Sequence, residues 1–315
     1  MLIRWFLRLD HARAHDEFSG GRKVSPINRA AMMRGFDRLR RSAAVCVVAA
    51  AVCMNNALAG EDASAWDGDS RSAVRLIGGS WSQVQSTPLM AGIEIRLKRG
   101  WHTYWRYPGD AGVPPRLDFS RSRNVKALSI SWPAPRLIQE HGLSVIGYVQ
   151  DVILPLAVVP QGPGPVMLAL NIDYAVCEAL CVPQQATAQL AIAAGRSSQD
   201  AALAGAVSRV PRKQALGEGS ALAVRSIRRE ESSQRSRAVI EVAAPPSASV
   251  DLFVEGPGSD WALPLPNAEG AAPGGVQRFA FDLEGAPPGA KYDGALITIT
   301  AVTAEDAIEV SAPLD

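Results

Sequence analysis

The chain has 315 residues, with 32 Lys and Arg against 31 Asp and Glu, four Cys and four His. The balance is uneven: residues 1–59 hold ten Lys/Arg and four Asp/Glu, which leaves 22 against 27 and a formal charge of −5 from Gly60 onward. An acidic body of this kind has no electrostatic footprint for nucleic acid, so that class of partner is excluded.

The basic N-terminal stretch leads into an apolar run from Ala43 to Cys53 and then Ala57-Leu58-Ala59, a small-x-small pattern of the sort cleaved by signal peptidase, before Gly60. Residues 1–59 therefore read as a secretory signal with an over-long basic part. Met32 or Met33 followed by Arg34, Arg38, Arg40 and Arg41 would open a signal of ordinary length, which points to an over-extended start. The apolar run is too short for an anchor, because a spanning helix needs about 20 residues. The expectation is an exported, periplasmic protein with its signal cleaved, no transmembrane segment in the mature chain, and a compartment in which disulfides persist. Cys46 and Cys53 would leave with the signal, so Cys177 and Cys181 are the only thiols expected to remain.

Residues 60–79 read as an N-terminal extension. Between Ser80 and Ala193, short apolar runs bounded by Gly, Pro and Asn follow one another at 92–97, 125–132, 145–159 and 166–176 and predict strands. Residues 194–219 change character. The Ala-rich run from Asp200 to Val210, closed by Pro211, predicts one short helix within a linker. From 220 to 315 a second strand-rich domain is expected, with runs at 221–228, 238–243, 249–255, 261–265, 276–283, 294–302 and 307–312. Seven short strands with Pro/Gly-rich turns fit an immunoglobulin-like sandwich. The fold class is therefore all-β: two immunoglobulin-like β-sandwich domains joined by a short helical linker. The second domain has neither Cys nor His and offers no catalytic constellation.

The strand before Cys177 alternates cleanly. Val166, Leu168, Leu170, Ile172, Tyr174 and Val176 fall on one face, with Cys177 on the other. Strand character resumes over 186–192, so Cys177 and Cys181 are placed at a hairpin tip within reach of a partner protein. Three readings of the pair stay open. A structural staple closing so short a loop restricts the unfolded chain by only about 2 kcal/mol. A redox pair needs an attacking thiolate and a resolving thiol, and two cysteines four positions apart supply both without a cofactor. Two thiolates also hold Cu(I), with His102, His141, Met90 and Met167 as further candidate ligands.

Residues Gly100-Trp101-His102-Thr103-Tyr104-Trp105-Arg106-Tyr107-Pro108-Gly109-Asp110-Ala111-Gly112-Val113-Pro114-Pro115 are followed by Ser131-Trp132-Pro133-Ala134-Pro135, Ile146-Gly147-Tyr148, Leu154-Pro155-Leu156 and Asp173-Tyr174-Ala175-Val176-Cys177. Together with Cys181-Val182-Pro183 these motifs resemble the periplasmic N-terminal domain of the DsbD/ScsB thiol:disulfide interchange proteins, most closely the ScsB-like branch linked by name to suppression of copper sensitivity. The likeness covers about residues 75–193, and residues 221–312 are similar to the second β-domain of that branch on weaker motifs. It implies that Cys177 and Cys181 accept electrons from a membrane-embedded thiol reductase and pass them to oxidised periplasmic thioredoxin-like proteins. It also implies Cys181 as the residue that forms the mixed disulfide and Cys177 as the resolver, with no cofactor.

The likeness further implies a cap loop, a place taken here by Gln139-Glu140-His141-Gly142-Leu143. His141 stands where the family has a covering aromatic residue, and Tyr104 where an aromatic residue lies near the pair. His102 lies one strand period before Tyr104. Trp101 and Trp105 read as core aromatics, and the Pro108–Gly112 segment as turn chemistry. The family continues into several transmembrane helices and a thioredoxin-like domain, neither of which this sequence contains. Electrons are therefore expected from a separate protein. The alternatives are a copper(I)-binding or copper-tolerance module using Cys177 and Cys181, and a scaffold with a structural disulfide.

Overall fold

A computed structural model describes residues 62–83, 87–140, 142–231, 236–272 and 275–315. The expectations for residues 1–59, and that for His141, lie outside these residues.

The first sandwich opens with β1 (Asp67–Gly68), β2 (Ser72–Gly78), β3 (Leu89–Leu97), β4 (His102–Gly109), β5 (Arg116–Asp118) and β6 (Val125–Ile130). It continues through β7 (Arg136–Glu140), β8 (Leu143–Tyr148), β9 (Val152–Pro160), β10 (Val166–Cys177) and β11 (Cys181–Ile192). One sheet runs β1-β2-β3-β9-β6, and the other β11-β10-β4-β8-β7 with β5 against β10. Between them lies a core to which β10 contributes Val166, Leu168, Leu170, Ile172, Tyr174 and Val176, all buried, as the period-two pattern requires.

Residues 72–78, ahead of the segment expected to form the first domain, are β2 and pair with β3 along their whole length. Ser72-Ala73-Val74-Arg75-Leu76-Ile77-Gly78 is buried at every position but Arg75, so it has no alternation to betray a strand. The run 145–159 is broken at Val149–Asp151 into β8 and β9, which belong to different sheets.

The predicted helix is α1 (Asp200–Val207), which lays Leu203 and Ala206 inward. After it come β12 (Arg212–Gln214), β13 (Ala223–Glu231), β14 (Ser236–Ala243), β15 (Asp251–Glu255), β16 (Asn267–Ala272), β17 (Val276–Asp282), β18 (Leu296–Val302) and β19 (Ala307–Pro313). They form a second sandwich from the sheets β12-β19-β18-β15 and β13-β14-β17-β16. Among the described residues the structure is all-β apart from this helix, as expected. The segment 261–265 is not a strand. Pro264 and Pro266 supply no N–H to a ladder, and Trp261 and Leu263 are buried from a loop instead.

β15 joins the two sandwiches by simple alternation. Leu252 and Val254 enter the second core, whereas Phe253 enters the first. On the same face as Phe253, Asp251 accepts a hydrogen bond from the Leu137 backbone in β7, and Glu255 pairs with Arg106 in β4. The part of β4 that meets β15 arches out of its ladder: Tyr104 opposes Gly147 but Gly109 opposes Val145, so the intervening β4 residues outnumber their partners on β8. The arch carries Trp105, Arg106 and Tyr107 to the second sandwich, where the Tyr107 hydroxyl donates to the Leu263 carbonyl.

Candidate functional site

β10 and β11 are the two arms of one hairpin, in register from Val166↔Ile192 to Cys177↔Cys181. The cysteines are thus the last pair before the turn Glu178-Ala179-Leu180, as the alternation implied. They form a disulfide with Cα atoms 4.1 Å apart. The two residues differ in access: Cys177 is fully buried, whereas Cys181 is exposed and follows Leu180, which is 78% exposed. The asymmetry has a topological cause, since β4 pairs with the end of β10 through Cys177↔His102 and Val176↔Thr103. β11 has β10 on one side and is the edge of its sheet.

That pairing brings two of the predicted residues to the sulfurs. His102 and Tyr104 are two positions apart on β4 and face the same way, with ring centroids 5.7 Å apart in an edge-on arrangement. The Tyr104 hydroxyl is 2.9 Å from Cys177 Sγ and 3.3 Å from Cys181 Sγ. It lies 3.3 Å from Glu140 Oε2, which also lies 3.2 Å from His102 Nε2. Glu140 Oε1 is 3.3 Å from Cys181 Sγ. In the disulfide no sulfur carries a proton, so the phenol is the donor toward sulfur or carboxylate and has one proton for three acceptors. Burial first, and then the Glu140 carboxylate, push the phenol up to about 12, which keeps it a donor.

Glu140 reaches the site because β7 and β8 form a hairpin whose last pair is Glu140↔Leu143. This is the segment expected to cap the cysteines. Trp105 is fully buried in the first core and Trp101 packs against it from a half-buried position. The turn after β4 acts on the site through one contact that sequence reasoning missed. Gly112 has φ +113°, and a Cβ placed there would lie 2.6 Å from Tyr104 Cδ1, so this glycine lets the backbone press flat against the ring. A short cluster of Tyr104, Val145, Ala175 and Cys177, with Ala111 and Ile138 packed on it, closes the buried side of the disulfide. Beside the site a cavity of about 460 Å³ is lined by Trp101, His102, Glu140, Val149 and Glu178.

Two of the further candidate metal ligands are elsewhere. Met90 sits in β3 opposite Ala157, in the other sheet. Met167 is at the far end of the hairpin, opposite Ala191.

Chemically, the arrangement is a disulfide between a buried and an exposed cysteine, with a proton donor 2.9 Å from the buried residue's sulfur and a carboxylate 3.3 Å from the other. Among the described residues no helix is long and apolar enough to cross a membrane.

Residues 80–192 match the family model described as thiol:disulfide interchange protein DsbD, N-terminal. The crystal structure of the N-terminal periplasmic domain of ScsB from Proteus mirabilis is similar with a TM-score of 0.63 at 16% identity, covering 81% of this chain and 98% of that one. At that identity the likeness is one of fold, and its extent is more than either sandwich fills alone. No curated protein matches the chain.

Proposed function

Because residues 80–192 form a DsbD/ScsB-like N-terminal domain, a thiol-disulfide interchange module, we propose that the protein relays electrons in the periplasm. Cys177 and Cys181 take two electrons from a membrane-embedded thiol reductase and deliver them to oxidised thioredoxin-like proteins. The observation that carries this reading is the asymmetry of the pair, with Cys177 sealed under β4 and Cys181 exposed at the hairpin tip. A structural staple has no need of an open sulfur.

In the delivery step the Cys181 thiol gives its proton to Glu140 Oε1, 3.3 Å away, and the thiolate attacks one sulfur of the acceptor disulfide. A Cys181–acceptor bond forms, and the acceptor's other sulfur leaves as a thiolate that takes up a proton. The Cys177 thiol then gives up its proton as its sulfur attacks Cys181 Sγ, re-forming the internal disulfide, and the acceptor's second sulfur leaves as a thiolate that takes up that proton. Two electrons have moved to the acceptor. Reloading is the reverse: a donor thiolate attacks the exposed Cys181 Sγ and Cys177 leaves as a thiolate, which the Tyr104 hydroxyl is placed to stabilise. Glu140 serves as the proton acceptor beside Cys181.

The test is trapping in periplasmic extracts. Cys177→Ala is expected to accumulate a mixed disulfide through Cys181, whereas Cys181→Ala accumulates none. If neither variant traps a partner and the wild-type pair stays fully oxidised in cells, with a reduction potential below about −300 mV as for structural bonds, the relay is wrong.

A further inference from the structure

The site also gathers the donors of a metal centre. A ring nitrogen of His102, a carboxylate oxygen of Glu140 and Sγ of Cys177 lie within 4.8 Å of one another. Cys181 Sγ is 3.3 Å from the other oxygen of Glu140. Atoms that bind one tetrahedral zinc at about 2.0–2.3 Å stand roughly 3.3–3.8 Å apart. The His102 Nε2–Glu140 Oε2 spacing, 3.2 Å, is already close to that. His102 is 6% exposed and turns Nε2 to the carboxylate, so the imidazole is held in place before any ion arrives.

In the oxidised protein both sulfurs are bonded to each other and neither carries the charge a cation requires. Reduction supplies two thiols beside a fixed imidazole and carboxylate, one nitrogen, one oxygen and two sulfurs, a combination that suits zinc. We propose that the reduced protein binds one Zn²⁺ through Cys177, Cys181, His102 and Glu140, and that the ion withholds the pair from thiol-disulfide exchange until it is removed. Binding forms two Zn–S bonds and releases the two thiol protons, and no electron moves. The thiolates bound to zinc are no longer free to attack a disulfide. The Tyr104 hydroxyl, 2.9 Å from Cys177 Sγ and 3.3 Å from Glu140 Oε2, stands where the ion would enter and has to yield that space. The proposal rests on the relay reading only in requiring a reducible pair. Cu(I) is a different case, since two thiolates satisfy it without nitrogen or carboxylate.

The experiment is a zinc titration of the full exported chain, reduced with a phosphine and kept under argon, in competition with a chromophoric chelator. One Zn²⁺ per reduced chain and none per oxidised chain are expected. Glu140→Gln and His102→Ala should each weaken binding tenfold or more, since even residues that merely orient a metal ligand are worth that much. Tyr104→Phe should bind at least as tightly as wild type. Near-ultraviolet circular dichroism of each oxidised variant shows whether it has folded, and Glu140→Gln, at the edge of the site, keeps the test valid if His102→Ala does not fold. No uptake by the reduced wild type, uptake by the oxidised form, or equal affinity in wild type and Glu140→Gln would each overturn the proposal. A failed titration leaves the relay untouched. A pair that dithiothreitol cannot reduce would sink the relay before the titration began.

Discussion

Phe253 of the second sandwich packs its ring against Trp105 of the first, centroids 6.0 Å apart, and Trp105 adjoins the Tyr104 whose hydroxyl touches both sulfurs. The strand that positions the donor is therefore fixed from outside its own domain. Phe253 is 1% exposed and Trp105 is fully buried, so the contact is dry and strongly coupled to the fold.

Phe253→Ala is expected to lower unfolding stability by about 3 kcal/mol, the low end for a buried aromatic. It should also change the rate of disulfide reduction by dithiothreitol several-fold, although Phe253 belongs to the other sandwich. Phe253→Leu keeps most of the volume, should cost under about 1.5 kcal/mol, and should leave the reduction rate near wild type. A rate unchanged in Phe253→Ala would mean that the second sandwich does not position β4.

Arg106 anchors the same arch by ion pairs, 2.7 Å to Glu255 and 2.5 Å to Glu309. Burial works against its charge, but the two carboxylates outweigh that and hold the guanidinium above its ordinary value. Removing it leaves two partly buried carboxylates without a cation, so Arg106→Ala should destabilise by about 2–4 kcal/mol. Adding Glu255→Gln to Arg106→Ala should recover part of that loss, because one of the unpaired charges goes with it. Chemical denaturation of the single and double variants measures both effects.

Much of this was readable in the chain, and the failures have physical causes. The alternation Val166 to Val176 gave the strand, the buried face and the hairpin tip, because a strand covered on one face must alternate. The fused reading of 145–159 failed because apolar strands from different sheets adjoin there, with only Val149–Asp151 between them. β2 escaped because it is buried on both faces. At the site, Tyr104 and His102 followed from strand period and family likeness, whereas the partnership of Glu140 with both sulfur and imidazole depends on the β4–β8–β7 order, which no local pattern encodes. The interdomain role of β15 was written as Asp251-Leu252-Phe253-Val254-Glu255, an outward aromatic between two acids. Its meaning needs the partner strand.

Tyr104→Phe isolates the proton donor. A hydrogen bond to a charged group contributes about 1.5–3 kcal/mol, so losing the donor to the departing Cys177 thiolate should slow reduction by dithiothreitol roughly tenfold or more. Since burial and Glu140 push the phenol up to about 12, the folded value lies above the unfolded one. The neutral donor is then present at all lower pH and is lost only as pH rises through the folded value. The ratio of wild-type to variant rates should therefore stay constant from pH 6 to about pH 10 once the reductant's own ionisation is corrected. A ratio that collapsed near neutrality would assign the effect to another group.

Gly112 gives the sharpest test of ring placement, because two penalties can be separated. Its φ of +113° and the crowding of the Tyr104 ring, whose Cδ1 would stand 2.6 Å from an added Cβ, both oppose a side chain. Gly142 has φ +83° but nothing within 4 Å of such a Cβ. Gly142→Ala should thus show backbone strain alone, about 1–2 kcal/mol, with reduction kinetics unaltered. Gly112→Ala adds overpacking against a buried ring, typically about 1–3 kcal/mol more, and should push the hydroxyl off the sulfurs so that the rate falls toward that of Tyr104→Phe. Equal rates in the two alanine variants would show that the turn leaves the donor's position unaffected.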